Sequence, residues 1–201
     1  MTATPRGSSA VNILCIAGSP RRHGNSEQLL DSCIKGIAGA GGHAEKLVVA
    51  ESGISPCRGC NACSSTGECV VVDGMRAVYP LIDAADAFVV ASPVFFATVP
   101  AVLKALYDRC QPYWARRHVL HEEPGPRRPG AILLVRGGGD PYGFQCAEWT
   151  TRSVFAVLGV DCVEQLKVAG PDSPSDIGRR PEELEQAHGI GERMVAAAAG
   201  G

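Results

Sequence analysis

Short apolar runs alternate with stretches of helical periodicity along most of this chain. The runs lie at 11–17, 44–49, 87–91, 130–135 and 160–168, each of strand length. After the first, Leu29, Leu30, Cys33, Ile34 and Ile37 recur on one helical face, which predicts a helix over 26–39. Asn25 with Gln28 reads as its capping box, and Gly39 to Gly42 as its flexible end. Asp73 is placed to cap a helix through Met75, Val78, Tyr79 and Ile82. A helix over 99–111 begins at Pro100, a residue tolerated in a first turn. Further helices are expected over 145–158 and 181–199. Strands alternating with helices predict an α/β, doubly wound parallel sheet covered on both faces. The continuously apolar stretch from Ala87 to Ala91 suits its centre. The stretches 50–72 and 112–129 break the pattern and read as irregular loops.

Composition narrows the picture. Residues 1–10 are small and polar and read as a flexible tail, leaving 11–201 as a single domain. A net charge of −2 offers no electrostatic reason for a nucleic acid or an anionic membrane as partner. No apolar run approaches the roughly 20 residues of a membrane span. The tail also lacks the apolar centre of an export signal. The expectation is a cytoplasmic protein.

In doubly wound sheets, ligands collect where strands end at their carboxyl side. The loop Gly18 to Ser26 leaves the first strand and enters the first helix with two glycines, two hydroxyls and two arginines. The unpaired N–H groups and positive dipole of a helix start suit a phosphate. The loop lacks the Gly-Lys-Ser/Thr ending of a triphosphate loop and the spacing Gly-x-Gly-x-x-Gly of a dinucleotide site. The third strand is followed by Ser92, Pro93, Val94, Phe95, Phe96, Ala97 and Thr98, offering backbone N–H groups and aromatic faces. The fourth is followed by Arg136, Gly137, Gly138, Gly139 and Asp140, where the glycines let backbone approach a flat ring. Together the loops suit an aromatic heterocycle carrying a phosphate. The ordinary reading of Phe95 and Phe96 is core packing, and that of Arg21 and Arg22 is solvation.

There are nine cysteines. Cys57, Cys60, Cys63 and Cys69 share the second loop, at spacings that bring four thiolates round one point. Four thiolates are the ligand set of a four-iron, four-sulfur cluster and also of structural zinc. Cluster, zinc and no metal all remain open on the residues alone. Cys15, Cys33, Cys110, Cys146 and Cys162 read as buried or half-buried small hydrophobes. His23, His118 and His121 read as surface histidines, and no side chain stands out as acid, base or nucleophile. Residues 112–129 carry Tyr113, Trp114, Arg116, Arg117, Arg127 and Arg128 and read as a solvated loop. Pro171 to Ser175 reads as a linker to the last helix.

Taken in combination, these segments resemble the flavodoxin-like FMN reductases, and in particular their iron–sulfur flavoprotein branch. The resemblance is carried by Gly18-Ser19-Pro20-Arg21 with Gly24-Asn25-Ser26, and by Pro56-Cys57-Arg58-Gly59-Cys60-Asn61-Ala62-Cys63. Gly67-Glu68-Cys69, Asp73-Gly74-Met75, Ala85-Asp86, Ser92-Pro93-Val94-Phe95-Phe96, Leu103-Lys104 and Asp108-Arg109 complete it. It covers about residues 11–170. It implies a five-stranded sheet in the order 2-1-3-4-5 and FMN bound through Ser19, Arg21, Asn25 and Ser26 at the phosphate. Pro93, Val94, Phe95, Phe96, Gly137, Gly138 and Gly139 would then surround the ring. It further implies a homodimer or homotetramer. Electrons would pass from NAD(P)H or a ferredoxin-like donor to a flavin, quinone or similar acceptor, with Cys57, Cys60, Cys63 and Cys69 as ligands of a cluster. A non-enzymatic electron carrier and a redox sensor are the alternatives. Two departures stand out: Phe95 where tyrosine is usual, and Gly74 where a second aspartate is common.

Overall fold

The computed structural model describes residues 10–139, 141–174 and 176–200. Five strands form one parallel sheet: β1 (Asn12–Ala17), β2 (His43–Val48), β3 (Ala87–Pro93), β4 (Arg128–Arg136) and β5 (Val160–Ala169). Their order is β2-β1-β3-β4-β5, with β3 central. Parallel strands buried on both faces need not alternate in polarity, which is why they are visible as plain apolar runs. Their side chains still divide by parity. Leu14, Ile16, Phe88, Val90, Ile132 and Leu134 enter one core, and Ile13, Cys15, Val89, Ala91, Leu133 and Val135 the other.

The first core is covered by α3 (Met75–Ala84), α4 (Ala101–Asp108) and α6 (Gln145–Val157). The second is covered by α1 (Asn25–Gly39) and α7 (Pro181–Ala199), which pack closely on each other. Two short helices complete the set: α2 (Cys63–Thr66) inside the cysteine loop and α5 (Gln111–His118).

Several expectations need correction. The helix expected over 99–111 ends at Asp108, and α5 then occupies the start of the stretch read as a loop. Ala115 and Pro112 are buried there, and Arg116 Nε donates to the Gly67 carbonyl at 2.9 Å, so packing supports a helix whose charged sequence hides its period. The Asn25–Gln28 capping box does not form. Asn25 Nδ2 donates to the Ser173 carbonyl (2.9 Å) and its Oδ1 accepts from the Ile177 N–H (3.0 Å), while Gln28 donates to the His23 and Pro174 carbonyls. A distant segment has recruited both side chains. Cys146 is exposed, unlike Cys15, Cys33 and Cys110, which are buried, and Cys162, which is half-buried. The tail at 1–9, Asp140 and Ser175 lie outside the described residues.

Candidate functional site

Sheet hydrogen bonding continues past the strand ends and aligns the loops. Gly18 N–H donates to the Ala91 carbonyl (2.8 Å), Val94 N–H to Val135 (2.8 Å) and Gly170 N–H to Arg136 (2.9 Å). A Cβ on Gly18 would stand 2.4 Å from Leu103 Cδ2, so a larger residue here would push the Leu103 side chain of α4 aside. The result is a cavity of about 760 Å³ at the carboxyl edge of the sheet. It is lined by Ser19, Arg21, Asn25 and Ser26 from the first loop, Pro93, Val94, Phe95 and Phe96 from the third, and Gly137 and Gly138 from the fourth. Gly139 is not among the described residues that line the cavity; it turns the chain with φ +84°.

The first loop is stiff. Ser19, 6% exposed, accepts the Arg21 N–H on its hydroxyl at 3.0 Å. Gly24 enters α1 in an extended conformation, so the N–H groups of the first turn face the cavity end of the loop. Opposite, Phe95 and Thr98 exchange two backbone hydrogen bonds (2.8 and 3.1 Å) across Phe96 and Ala97, both with positive φ. Phe96 is wholly exposed at the mouth, and Phe95 is partly so, not core.

Further walls come from Arg136, Tyr142, Pro171 and Asp172. A Cβ on Gly137 would meet Asp172 Oδ1 at 2.8 Å, so this glycine and that carboxylate are matched. Arg136 stacks over Phe144 at 5.3 Å, and its Nε is buried without a hydrogen-bond partner among the described residues. An acceptor on a bound molecule would satisfy it. Pro171 and Asp172 leave the carboxyl end of β5, so the rule that found the other loops would have found them too.

The cysteines form a second site. Cys57, Cys60, Cys63 and Cys69 line one small pocket with Asp108, Arg109 and Gln111. Gly59, Asn61 and Gly67 all have positive φ and bend the loop round it, and the Gly59 N–H reaches Cys57 Sγ at 3.5 Å. Cys57 and Cys60 are exposed, Cys69 half-buried and Cys63 buried. Burial, reinforced by Cys69, Cys57 and Cys60, pushes the Cys63 thiol up. Burial pushes Cys69 up as well, but the Val71 N–H, the Tyr79 hydroxyl and the Arg109 guanidinium outweigh it and hold the thiol below its ordinary value. The donor set therefore fits a soft, positively charged group. Space is tighter: the pocket is about 20 Å³, and among the described residues no three Cys, His, Asp or Glu side chains are placed to hold a single metal ion.

A parallel sheet in the order β2-β1-β3-β4-β5, with a ligand-sized cavity at its switch point, defines a flavodoxin-like fold. Residues 11–173 match the family model described as NADPH-dependent FMN reductase, and the chain belongs to that family. An iron-sulfur flavoprotein of Archaeoglobus fulgidus is 32% identical over 182 residues, covering 90% of this chain and 78% of that protein. One from Methanocaldococcus jannaschii is 35% identical over 102 residues, 51% of this chain and 53% of its own length. Among solved structures, RosB with a bound flavin-phosphate intermediate superposes with a TM-score of 0.71 at 14% identity, over 94% of this chain and 79% of that one. An archaeal flavodoxin superposes with a TM-score of 0.57 at 12% identity, over 94% and 99%. Among the described residues no helix is long and apolar enough to cross a membrane.

Proposed function

We propose that the cavity binds FMN and that the protein is an FMN-dependent oxidoreductase, drawing on NAD(P)H or a ferredoxin-like donor and reducing a flavin, quinone or similar acceptor. The observation that carries this is the meeting, in one cavity, of a cationic helix-start loop with an aromatic loop and a glycine loop. When bound, FMN supplies hydride and single-electron chemistry. The chain's residues bind and orient it. Ser19, Arg21 and Ser26, with the backbone N–H groups of Asn25 and the rest of the first turn of α1, would take the phosphate. Pro93, Val94, Phe95, Phe96, Gly137 and Gly138 would enclose the ring, and Arg136 Nε would find its missing acceptor there. With Phe95 in place of tyrosine, that side chain has no hydroxyl to offer the ring as a hydrogen-bond partner.

We extend the reading to a four-iron, four-sulfur cluster on Cys57, Cys60, Cys63 and Cys69. The convergence of the sulfurs on one pocket and the names of the iron-sulfur flavoprotein relatives support it. Each corner iron of a cube takes one thiolate, so its ligands stand wider apart than those of a single ion. Of the four, Cys57 and Cys60 stand on an exposed arm from Cys57 to Asn61. A homodimer or homotetramer is part of the same reading, supported by the exposure of Phe96, Tyr142 and Trp149.

Anaerobic purification tests both halves. The expected product is yellow-brown, releases FMN on denaturation, carries iron and acid-labile sulfide at about four each per chain, and oxidises NADH or NADPH when a quinone or free flavin is supplied. A colourless protein indifferent to added FMN would overturn the first half. FMN without iron would overturn the second alone.

A further inference from the structure

The loop from Gly18 to Ser26 carries two arginines, but among the described residues only Arg21 lines the cavity. Arg22 is turned away. Its Nε lies 3.3 Å from both carboxylate oxygens of Glu27 and its Nη2 3.1 Å from Oε1, while Nη1 reaches Glu51. Glu27 sits in the first turn of α1 with its side chain 1% exposed. The same carboxylate accepts the His23 backbone N–H, and His23 is held at φ +55°, a conformation that a non-glycine residue adopts only when its surroundings impose it. From β2, Lys46 Nζ completes the cluster at 2.9 Å from Glu27 and also pairs with Asp31.

An anion buried beneath a phosphate loop looks adverse until its partners are counted. Arg22 and Lys46 both bond it, although Glu51 and Asp31 share those cations, and the α1 dipole favours it. Resting on the FMN reading, we infer that Glu27 is a positioning residue for the phosphate subsite: it pins the His23 peptide and holds Arg22 aside, so that the loop N–H groups and Arg21 are set for the phosphate before it arrives. The ring would lie against the third and fourth loops, which Glu27 does not touch in this network. Its influence is therefore confined to the phosphate end of the ligand.

The test is titration of flavin-stripped protein with FMN and with riboflavin, which lacks the phosphate. Glu27→Gln keeps the shape but removes the charge that holds Arg22 and Lys46. Its FMN dissociation constant is expected to rise about tenfold or more while that for riboflavin stays within about twofold, the scale of a lost charge-assisted contact. Equal weakening of both ligands, or unchanged FMN affinity, overturns the inference. Should Glu27→Gln fail to fold, Glu27→Asp keeps the charge but shortens the arm that reaches the His23 N–H and Arg22, and a loss confined to FMN is again expected; unchanged FMN affinity in it overturns the inference. Wild-type protein that binds neither ligand strikes the FMN reading itself, a result distinct from selective failure of the variant.

Discussion

The Arg109 guanidinium, 1% exposed at the end of α4, grips the Asp73 carboxylate at the start of α3 through bonds of 2.7 Å (Nη1 to Oδ2) and 3.1 Å (Nη2 to Oδ1). Asp73 also accepts the Met75 and Ser55 N–H groups, and Arg109 Nη1 donates to the Ser55 carbonyl at 3.0 Å. Both ends of the cysteine loop therefore hang on one cation. Removing a single partner of such a pair strands a charge in the interior, at a cost of about 3–5 kcal/mol. Arg109→Met is expected to lower unfolding free energy in urea by that order and to release any bound iron. A loss below about 1 kcal/mol, the worth of an exposed pair, would show that the loop stands without it. Arg109 first, with the two N–H groups, keeps the Asp73 carboxyl well below the usual carboxylate range. A depressed folded pKa gives stability that is complete at neutral pH and is lost as pH falls below about 4. The acid limb of the stability curve should flatten in the variant.

Helices α1 and α7 meet backbone to backbone. A Cβ on Gly191 would stand 2.1 Å from the Cys33 carbonyl oxygen, and one on Gly36 would stand 2.0 Å from that of His188. In an exposed helix, glycine to alanine gains about 1 kcal/mol of propensity. Here the clash reverses the sign, and Gly191→Ala is expected to lose about 1–3 kcal/mol, the usual cost of overpacking. Thermal unfolding monitored by circular dichroism decides it: a rise in Tm would mean that the helices separate freely.

Gly74 explains one departure from the family pattern in the same way. A Cβ there would lie 1.5 Å from the Ser52 carbonyl oxygen, so a second aspartate does not fit this backbone. What could be read without coordinates was whatever depends on near neighbours. The strands showed as apolar runs, α1 and α3 as periodic faces, and the cavity as loops at strand ends. What could not be read depends on distant partners. Asn25 and Gln28 looked local but are bound to Ser173, Pro174 and Ile177. Arg116 and the buried Ala115 stabilise α5 against the cysteine loop, and a window with so many charges conceals that. Nothing in the window around Glu27 announces Lys46 and Arg22, which close on it in the fold. The exposure of Cys146 follows from which face of α6 meets the sheet, which its helical position alone does not tell.

Glu148 joins α6 to β5 by accepting from Lys167 Nζ (2.5 Å), Gln165 Nε2 (2.9 Å) and Arg152 Nε (2.8 Å). Lys167 chiefly, with Gln165 and Arg152 and against some burial, lowers its carboxyl to about 2. The unfolded chain titrates near 4.3. The stabilisation is thus complete above about pH 5 and disappears as pH falls towards 2. Glu148→Gln is expected to cost about 1–2 kcal/mol at neutral pH, the worth of charged hydrogen bonds. Urea midpoints of variant and parent should then converge on acidification. A pH-independent gap would mean that Glu148 acts by shape and not by charge.

The turn at the cavity mouth carries strain with no packing to show for it. Phe96 (φ +47°) and Ala97 (φ +66°) occupy the two central positions of a connection closed by Phe95 and Thr98. Such turns favour Asn-Gly, because each non-glycine residue in the left-handed region costs about 1–2 kcal/mol. The Phe96 ring is fully exposed, so its removal costs the free protein no buried area. Two anchors hold the turn in place, the Ala147 N–H on the Ala97 carbonyl (3.1 Å) and Thr98 Oγ1 beside Thr150 Oγ1 (3.3 Å). Replacing the pair, Phe96→Asn with Ala97→Gly, is therefore expected to raise unfolding free energy by about 1–2 kcal/mol. If the ring covers FMN, the same variant should bind FMN and riboflavin more weakly by similar factors, unlike Glu27→Gln. Greater stability with undiminished flavin affinity would leave the aromatic ring without a role at the cavity and send the search for one to its exposed outer side.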